Sequence, residues 1–346
     1  MRALVKFEKG SGFVELRDVA EPVPGPGEVL IEVKACGICG TDLHIWHDQF
    51  PYWPPVTLGH EFSGSVAATG PNTHHFHVGD RVVAEPHSEA CGQCYLCRSG
   101  QIHICPTKRA PGWGVDGGFA KYVRMPERLL HHIPDHLPYD VAAVVEPAAN
   151  GVHDLIERAR LAAGDFVVVV GPGPIGLLAA LAARAGGARR VVIVGTPNDE
   201  PVRLKKAREL GFDAINIRAT NPVEYVLDLT HGIGADIVVE ASGAASGAAL
   251  TPHLLRTRGC LCAIGMTGQD CIAFPYDTLV LKACDAVFCR STGFSSWDRT
   301  IQLIANGALP AGEVITHRLP LDEWRFAFEE IEAQRALKIL LMPGKE

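Results

Sequence analysis

The feature that most constrains the fold is a glycine-rich turn, GPGPIG, between the apolar run DFVVVV and the Ala/Leu-rich segment LLAALAARA. In this context Gly171 permits a tight turn, Gly173 lets a pyrophosphate approach the backbone, and Gly176 lets helix and strand pack closely. Pro174 and Ile175 then open the helix, whose free N–H groups and dipole favour phosphate. The motif predicts a dinucleotide-binding strand–turn–helix unit. The alternative is an ordinary glycine-rich turn.

The segments around this turn predict an α/β protein with two kinds of sheet. After about residue 150, apolar strands such as VVIVG, DAINI and ADIVVEASG alternate with helical segments such as RLKKAREL and VEYVLDLT, which is typical of a doubly wound parallel sheet. Before that point, ALVKFE and EVLIEVKA alternate apolar and polar residues and are separated by the turn-forming EPVPGPGE. The first part therefore reads as an irregular β-barrel with inserted loops.

Composition and charge exclude several classes of protein. The chain has 346 residues, 47% of them hydrophobic, and a net charge of −7, so charge gives no reason to expect binding to nucleic acid or to an anionic membrane. No apolar run approaches the roughly 20 residues that cross a bilayer. The start, MRALVKFEKGSGF, lacks the apolar core of a signal peptide. The 11 cysteines without such a signal indicate reduced thiols, and we expect a cytoplasmic protein.

Four cysteines lie within fifteen residues, with the spacing C-x2-C-x2-C-x7-C: Cys91, Cys94, Cys97 and Cys105. Two C-x2-C steps on a tight turn let thiolates converge, and a short loop returns the fourth to close a tetrahedron. Four thiolates suit zinc and leave no open position, so such a site is structural. The ligand spacings of iron–sulfur clusters overlap with this one, and simple packing of four small residues is the remaining alternative.

A second set of potential ligands lies outside this cluster. Cys39 in CGICGTDLHIW, with His60 and Glu61 in TLGHEFSG, forms a plausible zinc triad that leaves a coordination position for substrate or water. Glu146 is an acid within the otherwise apolar VVEPAANG, and a buried carboxylate needs a partner. That partner is either a metal or a nearby amide or arginine. Taken alone, Cys39 and His60 fit core packing as well as ligation.

Together, CGICGTDLH, GHEFSG, the four-cysteine segment and GPGPIG, in this order, resemble the zinc-dependent medium-chain alcohol dehydrogenases over essentially the whole chain. The resemblance implies a GroES-like catalytic domain at residues 1–152, to which residues 292–346 return, and a Rossmann domain at residues 153–291. It also implies two zinc ions per chain, one catalytic and one structural, a nicotinamide cofactor, a small-molecule alcohol as substrate, and a homo-oligomer, with a tetramer favoured.

The resemblance assigns roles to residues of this sequence. Cys39, His60 and Glu61 correspond to catalytic-zinc ligands, and Glu146 to an additional or exchanging ligand. Cys91, Cys94, Cys97 and Cys105 correspond to the ligands of the structural zinc.

Three residues near Cys39 resemble supporting groups of the family's active site. Asp42 is similar to the carboxylate that orients the zinc-binding histidine. Thr41 and His44 resemble the hydroxyl and imidazole of a proton relay, although Thr41 also fits a turn cap and His44 a surface residue. In the implied reaction, zinc makes the substrate hydroxyl more acidic, the relay removes its proton, and a hydride passes to the nicotinamide.

The choice between NAD and NADP depends on the loop after the second strand. An acid that binds the ribose hydroxyls of NAD is expected at the end of that strand, where the sequence has Gly195. Asp199, by folding back, would replace it and favour NAD. Thr196 and Arg203 would instead cradle a 2′-phosphate and favour NADP. Because Asp199 and Glu200 oppose one arginine, we expect a modest preference for NAD.

The substrate is less constrained than the reaction. Within the family the chain most resembles the threonine 3-dehydrogenase and polyol dehydrogenase branches, but it departs from both. His87 lies four residues before Cys91 where threonine dehydrogenases have a histidine three before, and Ile45 replaces a tyrosine common in polyol dehydrogenases. We expect oxidation of a secondary alcohol in a polyol, sugar acid or related hydroxy compound, with L-threonine as the second candidate. Two other classes, a zinc-free quinone reductase and a zinc-lobe binding module, leave one or both ligand sets unused.

Overall fold

The computed structural model describes residues 1–344. Its strands, in chain order, are β1 (Arg2–Lys6), β2 (Val14–Asp18), β3 (Glu28–Gly37), β4 (Val56–Thr57), β5 (Glu61–Thr69), β6 (Arg81–Ala84), β7 (Tyr122–Pro126), β8 (Leu130–His132), β9 (Phe166–Val170), β10 (Arg190–Gly195), β11 (Asp213–Asn216), β12 (Ala235–Glu240), β13 (Leu255–Ala263), β14 (Asp285–Phe288), β15 (Ile315–Pro320) and β16 (Lys338–Met342).

The α-helices are α1 (Gly40–Trp46), α2 (Tyr95–Arg98), α3 (Tyr139–Ala142), α4 (Val145–Val152), α5 (Pro174–Ala185), α6 (Lys205–Glu209), α7 (Pro222–Leu229), α8 (Ala245–Leu254), α9 (Tyr276–Leu281), α10 (Phe294–Ala305) and α11 (Trp324–Glu332). Short 3₁₀ helices occur at Ile102–Ile104, Glu127–Leu129, Pro197–Asp199, Ala311–Val314 and Leu321–Glu323, and π-helical turns at His153–Arg158 and Glu200–Leu204. Within residues 1–344, no helix has the length and apolarity needed to cross a membrane.

The chain divides into two compact units. Unit 1 comprises Met1–Glu146, Thr292–Ala305 and the segment that begins at Ile315, and unit 2 comprises Pro147–Ser291 and Asn306–Val314. The first boundary therefore falls six residues before the predicted one at 152, and residues 306–314, which we assigned to the first domain, belong to the second. Helix α4 explains the first difference, because it continues directly into the π-helical turn and Gly151 packs against α5.

Unit 1 consists mainly of antiparallel strands centred on β3. One edge of β3 pairs with β5, and the other is shared by β7, near the start of the strand, and β16, at its end. The sheet order is β15-β16-β3-β5-β6-β8, and β2-β1-β4 form a smaller antiparallel sheet. Alternate residues of β3 are buried, as the apolar–polar alternation of EVLIEVKA predicts, and they pack into a core with Phe62, Phe119 and Phe328.

Unit 2 confirms the predicted doubly wound sheet. Its strand order is β11-β10-β9-β12-β13-β14, and all neighbouring strands run parallel. All five residues of β9 are buried, which explains why this strand reads as an uninterrupted apolar run. The order reverses between β9 and β12, and in open sheets of this type ligands bind at the carboxyl ends of the strands beside such a reversal.

The GPGPIG turn lies at this reversal, and two of its glycines are required by close contacts. Gly171, at φ +108, follows β9, and a Cβ there would lie 2.6 Å from the backbone nitrogen of Ser242, which follows β12. A Cβ on Gly176 would lie 1.9 Å from the carbonyl oxygen of Gly171. Gly173 differs, because its φ is −66 and a Cβ there meets no atom within 4 Å. Its lack of a side chain is therefore not required for packing.

We expect Gly176→Ala to destabilise the protein, whereas Gly173→Ala leaves stability unchanged. The added methyl at position 176 forces α5 away from β9, and such overpacking costs about 1–3 kcal/mol. The measurement is the urea midpoint of each variant followed by circular dichroism. Equal midpoints for the two variants would contradict this account of the turn.

Candidate active site and metal centres

Within residues 1–344, two groups of side chains bring potential metal ligands within 4.8 Å of one another, and both were predicted from the sequence. The first group is Cys91, Cys94, Cys97 and Cys105, and the second is Cys39, His60 and Glu61. Both groups lie in unit 1. We describe each group in turn before asking whether zinc fits it.

The four cysteines form a compact cluster around the short helix α2. Sγ of Cys91 lies 3.9 Å from Sγ of Cys97, and Sγ of Cys94 lies 4.0 Å from Sγ of Cys105. A tetrahedral zinc with bonds of about 2.3 Å has sulfur–sulfur edges of about 3.8 Å. The cluster therefore has the size of a zinc–tetrathiolate site.

Backbone N–H groups around the cluster favour thiolates at two positions. The N–H of Cys91 donates to Sγ of Cys105 at 3.4 Å, and this bond is the main reason why the pKa of Cys105 falls to about 6. The pKa of Cys91 is also lowered, by the N–H groups of Gln93 and Cys94, whereas burial raises that of Cys97 to about 12. Metal binding to such a mixed set releases protons and is favoured as pH rises.

Strand pairing assembles the second group. β3 and β5 pair so that Gly37 lies opposite Glu61, which puts Cys39, just beyond β3, next to His60, just before β5. His60 and Glu61 are buried, and Cys39 is partly exposed. The set of a thiol, an imidazole and a carboxylate within 4.8 Å suits zinc and leaves a fourth position for another ligand.

The charges around His60 also fit a cation. Burial alone would lower the pKa of His60, but the negative charge of Cys39, with those of Asp42 and Glu146, raises it to about 10. Nδ1 of His60 is buried without a hydrogen-bond partner and lies 3.9 Å from Oδ1 of Asp42. A divalent cation on the other ring nitrogen would neutralise this negative charge. Zinc therefore fits the residues that are present.

Asp42 is held rigidly beside this group. Its Oδ2 accepts the backbone N–H of Cys39 at 2.8 Å, and its Oδ1 accepts that of Gly59 at 3.3 Å. Because Cys39 precedes the first turn of α1, the same carboxylate fixes the start of the helix and the position of the thiol. Asp42 thus links the Cys39 thiol, the start of α1 and Gly59, the residue before His60.

Lys338 is a member of the site that the sequence analysis missed. Its ammonium donates to both oxygens of Glu61, at 2.9 and 2.7 Å, and to the carbonyl oxygen of Ile38 at 2.8 Å. The side chains of Lys338 and Glu61 are 4% and 1% exposed, so the ion pair is fully buried. The available signal was a lone lysine at the start of the apolar run ILLM, close to the C-terminus.

Glu146 lies near this group without joining the set of three atoms that approach within 4.8 Å. Burial and the negative charge of Glu61 raise the pKa of Glu146 to about 7, while His60, Lys338 and Lys108 act in the opposite direction. The carboxyl of Glu146 therefore interacts electrostatically with the candidate ligands His60 and Glu61. These interactions agree with an additional or exchanging ligand, which stays a prediction.

The two predicted relay residues lie on one side of α1. Oγ1 of Thr41 lies 3.7 Å from Sγ of Cys39, and His44, one turn further along, is exposed, with Nδ1 3.4 Å from Oε1 of Gln49. Thr41 is thus next to the candidate metal group, and His44 is open to solvent. Their role as a relay stays a prediction.

In unit 2, the loop after β10 is closed by its own side chains. Oδ2 of Asp199 accepts the backbone N–H of Thr196 at 2.8 Å and its hydroxyl at 2.7 Å, and Oδ1 accepts an N–H of Arg203 at 3.2 Å. Glu200 pairs instead with Arg208. Asp199 therefore does fold back beside Gly195, and it binds Thr196 and Arg203, the two residues that form the alternative cradle for a 2′-phosphate.

Models of known dehydrogenase families match segments of both units. Residues 25–135 match the family model "Alcohol dehydrogenase GroES-like domain", and residues 174–306 match "Zinc-binding dehydrogenase". The chain is 40% identical to sorbitol dehydrogenase of Halalkalibacterium halodurans over 99% of both chains. It is 36% identical to L-threonine 3-dehydrogenase of Stenotrophomonas maltophilia, again over 99% of each.

A solved structure extends the match to three dimensions. The zinc-binding dehydrogenase fold of a Sinorhizobium meliloti 1021 protein bound to NADP superposes with a TM-score of 0.91, at 31% identity and over 99% of both chains. The ligand groups and the glycine turn thus occur in a chain whose relatives match it from end to end. The protein belongs to the zinc-binding, NAD(P)-dependent medium-chain alcohol dehydrogenase family, with a GroES-like and a Rossmann part.

Proposed function

We propose that this protein oxidises a secondary alcohol of a polyol, sugar acid or related hydroxy compound and transfers the hydride to NAD(P). The observation that carries the proposal is the Cys39–His60–Glu61 group, separate from the four-thiol cluster, in a chain that also has the glycine turn GPGPIG between a strand and a helix. A zinc-free quinone reductase has no use for the first group. A zinc-lobe binding module has no use for either that group or the turn.

The residues divide the work of the reaction between them. Cys39, His60 and Glu61 would hold the catalytic zinc, with Glu146 as an additional or exchanging ligand. When bound, zinc supplies a Lewis acid that makes a hydroxyl more acidic, and NAD(P) supplies the hydride acceptor. The four cysteines from Cys91 to Cys105 would hold a second zinc that stabilises their segment.

Proton transfer falls to α1. Thr41 lies beside Cys39, where a substrate hydroxyl would approach, and its own hydroxyl both donates and accepts hydrogen bonds. His44 is exposed, so its imidazole lies where it can exchange protons with solvent. The two side chains would move the hydroxyl proton from the site to water.

L-threonine is the second candidate substrate. The relative from Stenotrophomonas maltophilia is named for this activity, and the sorbitol dehydrogenase relative, at higher identity, favours polyols. The departures at Ile45 and His87 from the two branches leave the choice to experiment. A panel of polyols, aldonates and L-threonine with both cofactors decides it.

The closed loop after β10 supports a modest preference for NAD. Arg203 forms an ion pair with Asp199, so a 2′-phosphate would have to compete with Asp199 for the guanidinium group. In the opposite direction, Gly195 has no side chain that would repel the 2′-phosphate of NADP. Discrimination is therefore weaker than in a dehydrogenase with an acid at this position.

A homo-oligomer, with a tetramer favoured, and a cytoplasmic location are part of the same proposal. Several large apolar side chains of unit 2 are more than half exposed and support self-association: Ile233, Met266, Tyr276, Val280, Leu281 and Phe288. β14, which contains Phe288, is an edge strand of the unit 2 sheet. An exposed apolar edge strand is a surface on which a second chain can pair.

Replacement of one cysteine in each cluster tests the proposal. We expect Cys39→Ser to lower turnover more than about a hundredfold and to leave the melting temperature near wild type, because it weakens the reactive site alone.

Cys94→Ser should lower the melting temperature and remove one zinc per chain, since structural metal binding contributes to folding. The measurements are metal content by elemental analysis, thermal melts and initial rates. Wild-type turnover in Cys39→Ser, or an unchanged melt and metal content in Cys94→Ser, would refute the respective assignment.

We expect Lys338→Met to destabilise the metal-free protein more than the zinc-loaded protein. Removal of one partner leaves the Glu61 carboxylate buried without compensation, which costs about 3–5 kcal/mol, and a bound cation offsets part of that cost. Melting temperatures with zinc and with a chelator measure the difference. Lys34→Met, which breaks a half-exposed pair with Glu32, is the control and should change little. Equal losses with and without zinc would show that Lys338 acts only in packing.

For the cofactor, we expect Asp199→Ser to raise kcat/KM for NADP relative to NAD by about tenfold or more. The change frees Arg203 to form charge-assisted bonds to a 2′-phosphate, which are worth about 1.5–3 kcal/mol each. Steady-state rates with both cofactors at a fixed alcohol concentration give the ratio. If the wild type already prefers NADP by about a hundredfold, Arg203 is not restrained by Asp199 as we infer.

A further inference from the structure

Two cysteines of unit 2 lie close together at the carboxyl end of its sheet, and the proposed reaction uses neither of them. Cys262 is the last residue but one of β13, and Cys289 directly follows β14. Their Sγ atoms are 4.0 Å apart. The sulfur atoms of a disulfide are about 2.05 Å apart, so the two thiols have to approach by about 2 Å, a distance that side-chain rotation can cover.

The two thiols differ in exposure and in acidity. Cys262 is fully buried, and its contact with Cys289 together with burial raises the pKa of its thiol. Cys289 is partly exposed, and the neighbouring Cys262 thiol lowers the pKa of Cys289 to about 7. A guanidinium nitrogen of Arg158 lies 3.5 Å from the carbonyl oxygen of Phe288, which puts a positive charge next to Cys289. An exposed thiolate beside a cation is the reactive form of cysteine.

Asp154 borders the same pair and does not oppose a thiolate there. Its backbone carbonyl accepts the S–H of Cys262 at 3.7 Å. Within residues 1–344, Oδ1 of its buried carboxyl has no hydrogen-bond partner. Burial and the charge of Cys289 raise the pKa of Asp154 to about 9, so its carboxyl is protonated at neutral pH. A protonated carboxyl adds no negative charge beside the sulfur of Cys289.

The position of the pair in the sheet connects it with the cofactor. A doubly wound sheet binds a dinucleotide across its two halves. The GPGPIG turn and the loop after β10 lie in the half that contains β9, β10 and β11, so the carboxyl ends of β12, β13 and β14 are left for the nicotinamide nucleotide. The N–H of Cys289 donates to the carbonyl of Ala263 at 2.9 Å, and both residues line a cavity of about 450 Å³. A shift of Cys289 therefore displaces the end of β13.

We propose that Cys262 and Cys289 form an oxidant-sensitive pair of thiols, which a hydroperoxide converts to a disulfide, and that this disulfide weakens the binding of the nicotinamide cofactor. The Cys289 thiolate attacks the O–O bond, sulfur takes one oxygen as a sulfenic acid, and the alkoxide leaves and takes up a proton. The Cys262 thiol then attacks this sulfur, the S–O bond breaks, and water leaves with the thiol proton. Two thiols thus lose two electrons, and one hydroperoxide becomes an alcohol and water.

The first part of the test identifies the bond. Zinc-loaded protein is treated with hydrogen peroxide, and disulfides are mapped by mass spectrometry of non-reduced peptides. We expect a bond between Cys262 and Cys289 in the wild type and none in Cys289→Ser. Cys262→Ala should accumulate a sulfenic acid on Cys289, detected with dimedone, because the second thiol is missing. Cys284→Ser, at a partly exposed cysteine just before β14, is the matched control and should form the bond as the wild type does.

The second part measures cofactor binding without any alcohol. We expect the dissociation constant of NADH, from fluorescence titration, to rise about fivefold or more after oxidation and to return after reduction with dithiothreitol. Cys289→Ser should bind NADH equally before and after peroxide. Because coupling is reciprocal, saturating NADH should shift the dithiol–disulfide equilibrium in glutathione buffers towards the dithiol by the same factor. Zinc content before and after treatment verifies that the metal-binding thiols have not reacted.

Two results would overturn the inference. One is a wild type whose two thiols stay free, or pair with other cysteines, while peroxide is consumed. The other is a disulfide between Cys262 and Cys289 that leaves the affinity for NADH unchanged. In both cases the proposed function stands, because the reduced protein still binds NADH. If the reduced protein does not bind NADH, the cofactor assignment fails and the inference fails with it.

Discussion

The ion pair between Glu61 and Lys338 is the contact on which the arrangement of unit 1 depends. It joins the first residue of β5 to the first residue of β16, and through the carbonyl of Ile38 it also holds the end of β3. Residues almost three hundred positions apart in the chain thus meet beside Cys39 and His60. Two buried charges are stable only while both are present, so the candidate metal group and the closure of the last strand onto the sheet are one structural unit.

The fold and most of the candidate site were predictable because their signals are local. Period-two alternation in β3, the apolar run of β9 and the glycine turn each describe neighbouring residues, and each matches the structure. The four-cysteine spacing is equally local. Prediction was weaker for contacts that depend on distant pairing. Lys338 appeared as one polar residue in an apolar strand, and nothing in that segment indicates that β16 lies against β3.

The same distinction explains the domain boundaries and the cofactor loop. The predicted boundary at 152 was based on the change from strand-rich segments to alternating strands and helices. The boundary between the two compact units, after Glu146, follows instead the packing of α4, whose residue Gly151 lies against α5. For the loop after β10, the sequence predicted that Asp199 favours NAD and that Arg203 favours NADP. It did not reveal that they bind each other, because side-chain pairing within a short turn depends on backbone geometry that spacing alone does not specify.

The pairing within that loop has a kinetic consequence. Asp199 binds the N–H and hydroxyl of Thr196 as well as Arg203, so the loop is ordered by the protein itself. A flexible loop loses conformational entropy each time it becomes ordered around a ligand. A loop that is already ordered loses little entropy when a dinucleotide binds. A dehydrogenase exchanges its nicotinamide cofactor once in each turnover. In the cofactor-binding role that we propose for this loop, preorganisation would let the cofactor enter and leave without a folding step of the loop in each cycle.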